Sequence, residues 1–373
     1  MPSTGRKLRS STKQSVPAPA QRNRSTALSS PPDPLSTHAG AYKFIPRGSG
    51  LPNLSPAELT LLRKKQARLS SNTRNVQKSL TSTHLRTGLA ASLIFAQHEA
   101  GSAVCIDPAG WVITCAHCFG DTEEEYEASS KRRWLLFYDG RAVQVECRVW
   151  DGKRDIALLK IVAIEWDVAA GGNNTVIGPF PFVRLCPRNP AAKTRIICIG
   201  QPGSEDLESA TAAKTDYNLI EVSEGILRGM VPDADPQDNS EIGTLKHDAW
   251  TYWGHSGAPL LREADGALVG LHSSWDDQTC MRHGVPLVAI EQFLKGCQGV
   301  INGQLARDKT LSDSLERDKS EGGEDTTNRE PNHERRAGRV DVGSQKATTE
   351  CPGTVNRDVI LISSDSDSGD QFD

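Results

Sequence analysis

The chain has 373 residues, 37% of them hydrophobic, and its net charge of −4 conceals a strong asymmetry. Residues 1–80 carry 14 lysines and arginines against 2 acids, a net charge of +12, whereas residues 81–300 and 301–373 are acidic, at −10 and −6. No stretch reaches 18 consecutive apolar residues, and the polar start lacks the apolar core of a signal peptide, which excludes a transmembrane helix and a secreted protein. We expect an intracellular protein without a membrane partner.

The first 54 residues are rich in serine, proline, threonine, arginine and lysine and contain few apolar side chains. Such a segment cannot bury enough apolar surface to offset the entropy lost on ordering. We therefore predict a disordered basic head over residues 1–54.

A helix signal follows the head. Ser55, Pro56 and Glu58 have the spacing of a capped helix start, because a serine N-cap pairs with a glutamate at the third helical position. We predict a basic helix over residues 55–80, loosely docked or free. The cluster at 63–68, RKKQAR, fits a nuclear-import signal or a solvated face, and it favours the nucleus over the cytoplasm. No nucleic-acid partner is expected, because no base-reading motif or stacking aromatic accompanies the basic residues.

Between residues 82 and 298 the pattern changes to short apolar runs separated by turn signals such as Asp139-Gly140 and Pro202-Gly203. Most runs have strand length, and no long helix alternates with them. This pattern predicts an all-β domain of antiparallel hairpins over residues 82–298 and argues against a doubly wound parallel sheet.

Apolar content falls sharply after this domain, so we predict a disordered acidic tail over residues 299–373. Near its end, Val359, Ile360, Leu361 and Ile362 precede alternating serines and aspartates. This pattern resembles a SUMO-interacting motif, in which an apolar run adds a strand to a sheet edge and the acids face a basic rim. SUMO or SUMOylated proteins are therefore a candidate partner. An incidental apolar run is the alternative.

Three segments of the β domain carry residues suited to acyl transfer: a histidine after a strand, an aspartate opening a strand, and a serine between glycines. These residues are His117, Asp155 and Ser256. A serine hydroxyl needs a base within hydrogen-bond reach, and the base needs an anion to hold its tautomer. Gly254 and Gly257 allow a tight turn around Ser256, so that backbone N–H groups can meet a developing oxyanion.

In this order the segments resemble trypsin-like serine proteases, most closely the HtrA-like or generic trypsin-like peptidase branch. The resemblance rests on Thr114-Cys-Ala-His117-Cys118, on Asp155-Ile-Ala-Leu-Leu159 and on Gly254-His-Ser-Gly-Ala-Pro-Leu260. It implies two six-stranded antiparallel β-barrels and a serine endopeptidase that cleaves protein or peptide substrates without a metal or other cofactor.

The resemblance also implies a role for each residue. Ser256 is the nucleophile, His117 the general base and acid, and Asp155 the group that orients His117, while the N–H groups of Gly254 and Ser256 form the oxyanion hole. Trp250 is at the expected base of the substrate pocket, and Ser273, Ser274 and Trp275 are expected to form one wall. Because no acid stands at the expected pocket base, the resemblance favours a small or apolar substrate side chain over lysine or arginine.

The sequence departs from the family pattern around the nucleophile. His255 replaces the usual Asn or Asp before the serine, and Ala258 replaces the second glycine after it. An inactive protease-fold interaction protein, recruited through its SUMO-binding-like tail, is therefore the alternative function. The nine cysteines are expected to be reduced thiols. A zinc site at Cys115 and its neighbours is disfavoured, because the spacing lacks a second Cys-x-x-Cys pair.

Overall fold

Strand-length apolar runs build two closed antiparallel barrels, and this confirms the predicted fold class. The computed structural model describes residues 42–48, 50–80, 82–98, 100–166, 179–206, 213–276 and 278–321, all within one compact unit. The first barrel has the strand order β7-β4-β3-β2-β5-β6, and β6 pairs with β7 to close it. Its strands are β2 (Ser92–Phe95), β3 (Ser102–Asp107), β4 (Trp111–Thr114), β5 (Arg132–Phe137), β6 (Ala142–Asp151) and β7 (Ile156–Trp166).

The second barrel has the order β11-β12-β15-β14-β13-β8 and is also closed. Its strands are β8 (Arg195–Gly200), β11 (Glu221–Met230), β12 (Leu245–His247), β13 (Pro259–Arg262), β14 (Leu268–Trp275) and β15 (Arg282–Pro286). A separate short hairpin consists of β9 (Glu205–Asp206) and β10 (Ala213–Lys214). Apolar side chains from both barrels fill the core, and the site lies where the barrels meet.

Helices are few and lie around the barrels. They are α1 (Pro56–Ser79), α2 (Thr83–Ala91), α3 (Glu123–Ala128), α4 (Leu287–Gly296) and α5 (Gln298–Glu321). In addition, Ala116–Cys118 form a single 3₁₀ turn. No helix in the described ranges combines the length and the apolar composition that crossing a bilayer would require.

Helix α1 is firmly docked, so the expectation of a loose or free helix is wrong. Its start has both hydrogen bonds of the predicted capping box, between Ser55 and Glu58. Leu62 and Leu69 are buried in the core of the first barrel. Arg63 donates to the buried carboxylate of Glu165 on β7 at 2.8 Å. The basic composition of the helix conceals this narrow apolar stripe.

Part of the predicted disordered head also has structure. Residues Lys43–Pro46 form strand β1, which runs parallel to β7 at Ala163–Trp166. Strand β4 covers only the first part of β7, up to Lys160, so the rest of that edge is available for pairing. The prediction of disorder is therefore wrong for the described residues from 42 to 54. Residues 1–41 lie outside the described ranges.

The predicted disordered tail begins with a helix, so that prediction is wrong as far as Glu321. Helix α5 brings Asp308 to the first barrel, where its carboxylate lies 3.9 Å from the Nζ of Lys160 on β7. Both side chains are buried. Cys351 and the SUMO-type motif Val359–Ile362 lie outside the described residues, and their predictions stay predictions.

Candidate active site

Strand pairing brings the predicted base and acid together. Strand β4 ends at Thr114, which pairs with Ala157 near the start of the antiparallel strand β7. The 3₁₀ turn after β4 and the residue before β7 are therefore neighbours, although 38 positions separate His117 from Asp155. The Nδ1 of His117 lies 2.9 Å from the Oδ1 of Asp155, and the backbone N–H of His117 donates to the same oxygen at 3.1 Å.

Asp155 occupies an unusual backbone position. Its φ of 53° lies in the left-handed region, where aspartate is tolerated better than most residues with a Cβ. Its second oxygen, Oδ2, accepts the hydroxyl of Ser273 at 2.7 Å. The side chain is almost fully buried, at 5% exposure. Left-handed residues of this kind cost about 1–3 kcal/mol and occur often at functional sites, where the surrounding contacts fix them.

The serine turn lies between β12 and β13 and depends on two glycines. Gly254 and Gly257 have φ values of 93° and 81°. A Cβ on Gly257 would collide with the carbonyl oxygen of Ser102 and the hydroxyl of Thr114, and one on Gly254 would collide with Ala100. Glycine is therefore required at both positions by conformation and by space.

Ser102, on β3 of the first barrel, fastens this turn. Its N–H donates to the carbonyl of Ser256 at 2.9 Å, and its hydroxyl donates to the carbonyl of Gly254 at 3.3 Å. The same hydroxyl accepts the N–H of Gln201 from the second barrel at 3.0 Å. Ser102 could not be predicted from the sequence, because a serine that opens a strand carries no distinctive motif.

The backbone N–H groups of Gly254 and Ser256, which are predicted to bind the oxyanion, have a defined direction and no acceptor among the described residues. In a trans peptide the carbonyl and the following N–H point in opposite directions. The carbonyl of Trp253 accepts the N–H of Gly203 at 2.8 Å, which turns the N–H of Gly254 away from that loop. The carbonyl of His255 accepts the N–H of Ala258 at 2.7 Å, so the N–H of Ser256 points away from Ala258. Neither N–H has an acceptor within the described part of the chain.

The hydroxyl of Ser256 donates to the backbone carbonyl of Ser273 at 3.4 Å. Among the described residues, no hydrogen bond joins this hydroxyl to His117. Ser273 nevertheless contacts both Ser256 and Asp155, since its own hydroxyl donates to Asp155. The structure thus brings the three predicted catalytic residues into one cluster, with Ser256 hydrogen-bonded to the pocket strand β14.

The environment of His117 favours its protonated form. Burial, the largest effect, disfavours the imidazolium, but the hydrogen bond that His117 donates to Asp155 and the nearby charges of Asp155 and Asp121 outweigh it. The pKa of His117 is therefore raised above its ordinary value. A base held in this way is suited to accept a proton from a serine hydroxyl and to return it to a leaving group.

A cavity of about 520 Å³ opens beside Ser256. Its walls include all four residues predicted for the pocket, Trp250, Ser273, Ser274 and Trp275. Several further wall residues were not predicted from the sequence. They come from the segment before β11, from the loop before the serine and from strands β14 and β15, and they are Tyr217, Thr251, Tyr252, Trp253, His272 and Arg282. Thr251 directly follows the predicted pocket residue Trp250, but nothing local in the sequence distinguishes Arg282.

Cys115, together with His117 and Asp155, presents donor atoms of the kind that bind metal ions. Cys115, His117 and Asp155 each offer one donor atom, all within 4.8 Å of one another. Burial raises the pKa of the Cys115 thiol well above its ordinary value, and its Sγ donates to the carbonyl of His272 at 3.3 Å. A thiol of this kind does not readily become the thiolate that a metal binds. The set therefore fits an acid–base pair better than a metal site.

Comparisons with known proteins find one protein family and several solved structures to which parts of this chain are similar. Residues 101–271 match the family model of the trypsin-like peptidase domain, a span that includes His117, Asp155 and Ser256. Among solved structures, the serine endoprotease from Yersinia pestis is 19% identical with a TM-score of 0.41; the match covers 58% of this chain and 67% of that one. The HtrA-type protease AlgW, solved with a decapeptide, is 18% identical with a TM-score of 0.35, and the match covers 54% of this chain and 52% of AlgW. No curated protein matches the chain.

Proposed function

We propose that the trypsin-like peptidase domain carried by residues 101–271 is an active serine endopeptidase, which cleaves protein or peptide substrates through an acyl-enzyme intermediate. The observation that supports this most strongly is the His117–Asp155 contact of 2.9 Å beside a serine turn whose two N–H groups are free. A turn serving only as structure has no need of two oriented and unused backbone donors.

In the proposed reaction, the hydroxyl of Ser256 leaves the Ser273 carbonyl and turns toward His117. Its oxygen attacks the scissile carbonyl carbon, while the Nε2 of His117 takes the hydroxyl proton. Asp155 stabilises the imidazolium through Nδ1, and the N–H groups of Gly254 and Ser256 bind the oxyanion. His117 then gives its proton to the leaving amine, which departs from the acyl-enzyme. A water molecule, activated by His117, releases the product acid in the same way.

The test compares the wild-type protein with Ser256→Ala and with Ser130→Ala, an exposed serine of the first barrel. Wild type and Ser130→Ala should label with a fluorophosphonate probe and cleave unfolded casein. Ser256→Ala should lose the label and roughly 10⁶-fold of kcat, as other triad nucleophiles do. If the folded wild-type protein neither labels nor cleaves, the endopeptidase proposal fails and the non-catalytic interaction protein becomes the better hypothesis.

A further inference from the structure

The cavity beside Ser256 is lined by aromatic and cationic side chains but by no described acidic side chain. Its walls combine aromatic rings with one cationic side chain, Arg282, and no Asp or Glu contributes to the wall within the described residues. Trp250 and Tyr252 are stacked with ring centroids 6.5 Å apart, and Tyr217 lies edge-on to both. These rings provide an apolar passage, while the polar groups are few and specific, which is typical of a selective pocket.

Thr251 is one of these polar groups. Only 5% of its surface is exposed, it lines the cavity, and its hydroxyl has no hydrogen-bond partner in the described part of the chain. Buried hydroxyls normally find a partner within the protein. A hydroxyl that opens onto a cavity without one is available to a ligand.

His272 is the second polar group, and its ring has a defined orientation. Its Nδ1 lies 3.1 Å from the Nε2 of His247, while the Nδ1 of His247 is buried without a partner. An unpartnered buried N–H is less tolerable than an unpartnered acceptor. We therefore assign the proton of His247 to Nε2, which donates to His272. The Nε2 of His272 then carries a proton and has no acceptor among the described residues, on a side chain that is 5% exposed and lines the cavity.

Arg282 supplies the positive charge. Its Nη1 donates to the carbonyl of Cys280 at 3.0 Å, but its Nε is buried without a partner. Other arginines of the second barrel, such as Arg228 and Arg262, are paired with the carboxylates of Asp248 and Asp265. No carboxylate pairs with Arg282 in the described ranges.

We propose that this cavity selects glutamate as the substrate residue whose carbonyl is attacked, the P1 residue. The inference rests on the proposed function, because a carbonyl held by the N–H groups of Gly254 and Ser256 places the adjoining P1 side chain in this cavity. The Thr251 hydroxyl and the His272 Nε2–H donate to the glutamate carboxylate, and Arg282 favours its negative charge. The aromatic rings enclose its methylene groups. This replaces the small or apolar side chain that the sequence favoured.

Two measurements test the proposal. In the first, wild-type protein is given quenched peptides that are identical except for Glu, Gln, Val, Ala or Lys at P1. In the second, the Ser256→Ala protein is titrated by calorimetry with product-like peptides that end in Glu, Gln or Ala, so that binding is measured without turnover. We expect Glu to exceed each of the others by about 10- to 100-fold in kcat/KM, and Glu to bind more tightly than Ala by a similar factor.

Variants link the preference to the named groups. Thr251→Val, which keeps the shape but removes the hydroxyl, and Arg282→Gln should each reduce the preference for Glu about 10-fold. Arg132→Gln removes a charge from the exposed surface of the first barrel and should leave the preference unchanged. Both pocket variants are also compared on the Ala peptide, which separates lost selectivity from lost folding.

The outcomes separate the two proposals. If the wild-type protein cleaves nothing but Ser256→Ala binds the Glu peptide most tightly, the pocket inference stands and the endopeptidase proposal fails. The inference is overturned if cleavage prefers Val, Ala, Lys or Gln, or if the Glu and Ala peptides bind Ser256→Ala equally or not at all.

Discussion

Ser273 donates its hydroxyl to the Oδ2 of Asp155 at 2.7 Å, across the boundary between the two barrels. Its backbone carbonyl meanwhile accepts the hydroxyl of Ser256 at 3.4 Å. One residue of strand β14 therefore contacts both Asp155 and Ser256, the acid and the nucleophile of the proposed triad. Because Ser273 also lines the cavity, it connects the pocket wall with Asp155 and Ser256 through hydrogen bonds.

This relationship predicts that Ser273→Ala slows catalysis while the fold persists. The variant removes one of three hydrogen bonds to Asp155 but keeps the backbone carbonyl, so we expect kcat to fall about 10-fold with little change in KM. Ser130→Ala is the control, because this exposed serine lies outside the cavity and its hydroxyl donates to the backbone carbonyl of Arg132. Steady-state kinetics on one peptide measures both. Equal kcat values for the two variants would contradict a positioning role for Ser273.

The raised pKa of His117 predicts the pH dependence of cleavage. The general base must be neutral, so kcat/KM should rise with pH and reach half its maximum above about 6.5, the ordinary pKa of histidine. Asp155→Asn removes the charge that raises this pKa. It should move the midpoint to lower pH and reduce kcat roughly 10⁴-fold. A midpoint that stays unchanged in Asp155→Asn would show that another group controls the profile.

The buried histidines of the second barrel predict acid sensitivity. Burial lowers the pKa of His247 to about 3 and that of His255 to about 4. In the unfolded chain both protonate near pH 6.5, so below this pH the unfolded state binds more protons than the folded state. The free energy of unfolding therefore decreases as the pH falls from about 6.5 toward 4, by up to about 1.4 kcal/mol per pH unit for each histidine.

His255→Asn isolates this effect from the titration of carboxylates. Asparagine can replace the contact between the His255 Nδ1 and the backbone of Tyr252 but does not titrate. Urea unfolding at pH 8, 6 and 5 should show a shallower loss of stability in the variant than in wild type. Parallel pH curves for the two proteins would rule out His255 as a source of acid sensitivity.

Docking of α1 predicts that residues 82–321 alone are less stable than residues 50–321, two fragments that differ in α1 but share both barrels and α5. Without α1, the buried carboxylate of Glu165 loses Arg63 and Gln66, which donate to it at 2.8 and 3.0 Å. Loss of these hydrogen bonds and of the burial of Leu62, which alone contributes about 1.5–3 kcal/mol, should lower the free energy of unfolding of the shorter fragment. Urea unfolding of the two fragments measures the difference. Equal midpoints and slopes would mean that α1 contributes nothing to the domain.

The sequence predicted the barrels well, because they depend on local signals, and the catalytic roles of His117, Asp155 and Ser256 stay predictions. Strand-length apolar runs separated by turns lead to β-barrels, and the glycines beside Ser256 report directly on a backbone conformation. Docked segments were harder to predict. Ile45 and Asp308 lie in stretches whose average composition is polar. Only the tertiary structure shows that Ile45 belongs to a strand paired with the edge of β7. The same is true of Asp308, whose carboxylate lies near the buried ammonium of Lys160 on β7. The role of Arg282 likewise depends on which strand faces the cavity.

Lys160 brings both ends of the described chain to one place. Its buried ammonium lies 3.9 Å from Asp308 of α5 and 5.5 Å from the ring centre of Tyr42, just before β1. Removal of α5 would leave this cation without its carboxylate, at a cost of about 3–5 kcal/mol. Hydrogen exchange of the amides of residues 43–45 should then accelerate in a chain ending at residue 297, and unchanged exchange would exclude such coupling. We therefore expect release of α5 to loosen β1 as well, because Asp308 of α5 and Tyr42 beside β1 both lie near the ammonium of Lys160.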